Sequence, residues 1–202
     1  MFGFNEEEFF LSACLLTSST NETNTKLIMN LPYVNATGTY EKNRLIMDAY
    51  KNSIHIEQKV ENNNHPTFNF HKDVFADAIL KRRSVREFYQ QSIKEEEFLS
   101  IMDILNQPIT SDCDEDINIY CVINRVQGMK LGLYKNGEYI KEGDFKDKAG
   151  YLCLEQVLGK DSAVTFFLIS KSNNYQAMYQ KAGIIGQRLY LAASYLNIGC
   201  TG

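Results

Sequence analysis

"AGIIGQRLYLAASYLNIGCTG", residues 182–202, governs how the rest of this 202-residue chain is read. Apolar residues recur at helical spacing from about 174 to 197, and glycine follows at 199, so the stretch predicts one long helix that stops at Gly199. Inside it Ala182, Gly183, Gly186, Ala192 and Ala193 are small. Each glycine within a helix costs about 1 kcal/mol. Something close must offset that cost, and two readings stand on the sequence alone: tight packing against another helix, as at a dimer interface, or the approach of a flat ligand.

Working outward, "AVTFFLIS" (163–170) is continuously apolar and predicts a fully buried strand. "DFKDKAGYLCLEQVLG" before it predicts a helix ending at Gly159. "GLYKNGEYI" places Asn136-Gly137 between two short apolar segments, a hairpin signal, and "INIYCVINRV" (117–126) predicts a strand. Ser92 with Glu95 three residues on forms a capping box ahead of Phe98, Ile101, Met102 and Leu105, which predicts a helix over about 93–106 stopped by Pro108. The resulting order is helix, helix, strand, hairpin, helix, strand, helix, an α+β layout.

Residues 72–83 read as a helix that ends in a run of cations, Lys81, Arg82, Arg83 and Arg86, in a chain whose net charge is -4. Cations at a helix C-terminus complement its dipole. They also suit a phosphate clamp, since guanidinium offers a fork to phosphate oxygens and Ser84 adds a hydroxyl. The acidic balance excludes a general nucleic-acid or anionic-membrane binder, so the cluster is local. The five scattered cysteines show no C-x-x-C spacing, and the three histidines have no metal-ligand spacing, so neither a disulfide framework nor a metal site is expected. With an acidic N-terminus and no apolar run of about 18 residues, a cytoplasmic location without membrane contact is expected. Residues 1–70 read as an N-terminal extension, with a helix in "EEEFFLSACLL" and a polar linker near 60–66; residues 71–202 read as the main domain.

"RRSVREF", "INRVQGMKLGLYKNGEYIKEGD", "AVTFFLIS" and "AGIIGQRLYLAASYLNIGCTG", in that order, resemble the FMN-dependent nitroreductase-like superfamily over about residues 74–202. The hairpin resembles most its azoline-dehydrogenase branch, which oxidises thiazolines and oxazolines in modified peptides. The resemblance implies a central, mostly antiparallel sheet flanked by helices and a homodimer. It implies hydride transfer through FMN, with NADH or NADPH as donor and a small-molecule or modified-peptide substrate. It assigns the FMN phosphate and ribityl chain to Arg82, Arg83, Ser84 and Arg86, and the neighbourhood of the flavin ring to Gly199, Cys200, Thr201 and Gly202. It names no general acid or base. The chain departs from the family's pattern in having no P-S-x-G segment between Asn106 and Cys121, no Lys-Tyr pair before the long helix, Ile184 in place of a histidine, and an end at Gly202 that implies C-terminal truncation. The alternative is a degenerate, flavin-poor member that serves as a binding or assembly subunit without redox activity.

Overall fold

The computed structural model describes residues 43–53, 64–111, 116–172 and 174–202. The N-terminal helix "EEEFFLSACLL" and most of the linker at 60–66 lie outside the described residues. By its internal contacts the chain divides into Met1–Ile56 and Glu57–Gly202. The first unit contributes one described helix, α1 (Arg44–Ser53), with an exposed Arg44–Asp48 pair one turn apart at 3.6 Å.

In the second unit the elements follow as α2 (Lys72–Lys81), α3 (Glu95–Asn106), β1 (Asn118–Ile123), β2 (Gly132–Lys135), β3 (Glu138–Glu142), α4 (Lys146–Leu152), α5 (Val157–Asp161), β4 (Val164–Ile169) and α6 (Tyr175–Tyr195). The four strands form one antiparallel sheet in the order β3-β2-β1-β4. Strand β1 is paired on both sides, and its Ile119, Cys121 and Ile123 lie on one face by the two-residue period, all buried. Against them α3 sets Phe98, Ile101, Met102 and Leu105, which share one face at spacings of three and four. Phe98 is fully buried and stacks on Phe166 of β4, with centroids 6.5 Å apart. Helix α6 adds Ile185 and Ala192 to the same core. Arg188 of α6 reaches the chain just past α3: its guanidinium donates to the Gln107 and Pro108 carbonyls and lies 5.1 Å from the centroid of the Phe68 ring.

The β2–β3 hairpin turns at Asn136 and Gly137 with φ of 50° and 92°, both left-handed, as that dipeptide predicts. Asn136 also clasps β1: its amide donates to the Ile119 carbonyl at 2.7 Å, and its Oδ1 accepts from the Ile119 amide at 2.8 Å.

Three expectations are corrected. Ser92 does not cap α3, because Ile93 bonds to the backbone of Arg125 and Gln127 and is held extended; the helix starts at Glu95, where Glu97 accepts from the Lys94 amide at 2.8 Å. The single helix ending at Gly159 is two short helices, α4 and α5, separated by left-handed Leu154 and Glu155. Gly159 makes the fold-back fit, since a Cβ there would stand 2.6 Å from Cys153 Cβ. Strand β4 is not fully buried: it is an edge strand, and only Thr165 along it is buried.

Gly132 tests the sheet register. A Cβ at this position would lie 2.3 Å from the Lys141 carbonyl oxygen, next to a register shift between Leu133 and Tyr134. Gly132→Ala is expected to lower stability by about 2 kcal/mol or more, read as a reduced midpoint in urea unfolding.

Candidate functional site

Two segments far apart in sequence meet beside the sheet. Helix α2 ends at Lys81, and beyond its C-cap residue Arg82 the chain runs extended. The Val85 amide donates to the Cys200 carbonyl at 3.0 Å, and Ser84 pairs with Cys200 in a parallel bridge. The approach is tight at the next residue, where a Cβ on Gly199 would lie 3.1 Å from Val85 Cγ2. Helix α6 is fixed to α2 at this place by Ser194 Oγ, which donates to the Ala78 carbonyl at 3.2 Å.

Tyr190, one turn before Ser194 on α6, enters the seam between the segments. Its phenol oxygen accepts from the Gly202 amide at 2.6 Å and stands 3.1 Å from Ser84 Oγ. The Arg82 guanidinium lies over its ring, 5.1 Å from the centroid. That contact holds the cation by its flat face. Among the described residues none of the Arg82 guanidinium N–H groups is in a hydrogen bond or ion pair, whereas its backbone amide donates to the Ala78 carbonyl at 3.0 Å.

The other cations of the cluster are placed differently. Lys81 pairs with Asp77 at 2.6 Å, and Arg83 Nη1 turns back to the Arg82 carbonyl at 2.8 Å. Arg86 is exposed. Of the residues singled out from the sequence, Arg82, Ser84, Gly199, Cys200 and Gly202 come together, with Thr201 between the last two; Arg83 and Arg86 are not drawn into the seam. Tyr190 was missed as a member of the cluster. A signal for it exists in the sequence, since Gly186, Tyr190 and Ser194 share one helix face at four-residue spacing.

Chemically the cluster presents positive charge and hydrogen-bond donors. Arg82 supplies charge and unspent donors, and Ser84 supplies a hydroxyl, while no carboxylate is bonded to either among the described residues. Cys200 holds little thiolate here: burial pushes its thiol up from 9.0 to about 11, outweighing the Thr201 amide and the Arg82 charge that pull it down. Among the described residues no group of three or more His, Cys, Asp or Glu is placed to hold a metal ion, and no helix is long and apolar enough to cross a membrane. Two surface hollows, of about 280 and 390 Å³, lie at Gly150, Tyr151 and Lys160 and at Asn69, His71 and Tyr195, and none of the cluster residues lines either.

Comparison with known proteins agrees with the fold. The sequence profile of the Nitroreductase family matches residues 79–201. A solved structure of a protein from Anabaena variabilis, provisionally described as a nitroreductase, matches with a TM-score of 0.54 and 28% identity. The match covers 62% of this chain and 31% of that one, so the chain spans less than a third of that relative's length. A search of the curated proteins finds no match.

The raised Cys200 thiol gives a direct check. With its folded value near 11 and its ordinary value at 9.0, the neutral thiol is favoured in the fold, a contribution present below pH 9 and lost as pH rises through 11. At pH 8 the thiolate fraction is about a hundredfold below that of a free cysteine, and native Cys200 should alkylate slower by about that factor than in urea, read by peptide mass spectrometry.

Proposed function

Because the chain belongs to the Nitroreductase family, with its α+β fold, we propose that it is an FMN-dependent oxidoreductase whose phosphate clamp is Arg82 and Ser84. The observation that carries this reading is the Arg82 guanidinium, held over Tyr190 with its donors uncommitted beside Ser84 and the 199–202 segment. A phosphate dianion fits that donor set: one permanently charged fork and one hydroxyl, with no competing carboxylate. Arg83 and Arg86 lend charge at longer range, as partly screened cations. Gly199 and Thr201 are the residues of the last segment left to face the ring, since the Gly202 amide is bonded to Tyr190. When bound, FMN supplies hydride transfer through its N5, from NADH or NADPH to an acceptor. The chain's own part is to hold the phosphate and to fix the 199–202 backbone for the flavin ring.

The acceptor is a small molecule or a modified peptide; the 132–140 hairpin favours the azoline-dehydrogenase type, and the protein acts in the cytoplasm. The protein works as a homodimer. Supporting this, among the described residues a Cβ added to Gly183 or Gly186 would meet nothing within 4 Å, so no described part of this chain takes up the close approach those glycines permit. Exposed Ile184 and Tyr179 flank the same helix surface.

Two outcomes are expected. Purified protein is yellow and bleaches with NADH or NADPH, and Arg82→Ala binds FMN about tenfold or more weakly with unchanged folding, because a charge-assisted hydrogen bond contributes about 1.5–3 kcal/mol. Equal FMN affinity in Arg82→Ala and wild type would remove the clamp, and bound FMN that no donor bleaches would favour the non-redox binding subunit. Light scattering should give twice 23.2 kDa, and Gly183→Ala should weaken that dimer while raising the thermal stability of the separated chain by up to about 1 kcal/mol. A mass of one chain at micromolar concentration counts against the dimer.

A further inference from the structure

We infer that Tyr190 is a positioning residue for anion binding: its ring aims the Arg82 guanidinium, and its hydroxyl sets the direction of the Ser84 proton. The inference rests on the FMN reading above and adds to it a residue that binds no ligand itself.

The argument is one of hydrogen-bond arithmetic. The Tyr190 oxygen accepts from the Gly202 amide at 2.6 Å, and it has one proton to give. Two acceptors are in reach: the Gly202 carbonyl at 3.4 Å, a poor length for an O–H donor, and Ser84 Oγ at 3.1 Å. The better-placed acceptor is Ser84. Once Ser84 Oγ accepts from the phenol, its own proton is free to turn outward to an anion. Without the phenol, Ser84 loses a fixed partner and its proton has no set direction.

The ring acts on Arg82 by a different route. A carboxylate partner would fix the guanidinium but spend its fork and cancel its charge. An aromatic face fixes it and leaves the N–H edge available. The same side chain thus orders both members of the clamp, and through Gly202 it also ties down the segment that pairs with Ser84.

The test uses the flavin-free full chain and two probes, FMN and riboflavin, which differ by the phosphate alone. Tyr190→Phe keeps the ring and loses the hydroxyl; FMN affinity should fall roughly fivefold, the size of one lost hydrogen bond. Tyr190→Leu also loses the ring, and the loss should grow to about twentyfold. Riboflavin, which lacks the phosphate but shares the 199–202 segment, should weaken by a clearly smaller factor than FMN in both, and the phenylalanine variant should fall between leucine and wild type. If riboflavin and FMN weaken by the same factor, or neither variant alters FMN binding, Tyr190 has only a structural role and the inference is overturned while the flavin reading stands. Wild type that binds neither FMN nor inorganic phosphate overturns both.

Discussion

The bond from the Val85 amide to the Cys200 carbonyl joins the two halves on which the site depends. It is a backbone contact between residues more than a hundred positions apart, and nothing local in either segment enforces it. What enforces it is the placement of α2 against α6, at which Ser194 bonds to the carbonyl of buried Ala78. Small side chains on both helices bring the axes close enough that the strands leaving them can pair. The Arg82–Ser84–Tyr190 cluster is therefore a consequence of helix packing, and a bulky substitution at Ala78 or Ala193 would act on it without touching it.

The sheet plays a supporting part that is just as physical. Strand β1, paired on both sides, gives α3 a rigid apolar floor, and the two residues that follow α3, Gln107 and Pro108, receive Arg188 at their carbonyls. Since Arg188 and Tyr190 lie two residues apart on α6, the same helix end is pinned to α3 on one side and to the 82–85 segment on another. Rotation of α6 about its axis would break both sets of contacts. Pre-organisation of this kind keeps the cost of ordering off the binding step.

The elements carried by periodicity were legible in the sequence: α3, the hairpin at Asn136-Gly137, β1 and the long α6 all follow from local spacing and turn chemistry. The misreadings share a cause, which is that a neighbour decided the outcome. Ser92 and Glu95 carry a capping pattern, but Ile93 is taken by a bridge to Val126, and the helix begins two residues later than predicted. Apolar residues from 149 to 158 suggest one helix, but the chain reverses through left-handed Leu154 and Glu155 to pack Gly159 on Cys153. The apolar run of β4 suggests burial on both faces, yet its place in the strand order is at the edge. The candidate site was half legible. A cation cluster marks a place but not which cations converge there, and that was settled by Asp77 and by backbone carbonyls that engage Lys81 and Arg83.

On the proposed function, an aromatic partner for Arg82 is what an anion acceptor requires. Two unit charges 4 Å apart near a protein surface interact by about 4 kcal/mol, so a carboxylate beside Arg82 would cancel most of the attraction offered to an incoming phosphate. Leaving the guanidinium with no partner would keep its charge but let the long side chain sample many rotamers, a freedom worth up to about 2 kcal/mol that binding would have to remove. Stacking on Tyr190 avoids both losses: it restricts the rotamers at a contribution of about 0.5–1 kcal/mol and leaves charge and donors intact. Of the three arrangements, only this one restricts the side chain before the anion arrives without opposing its charge.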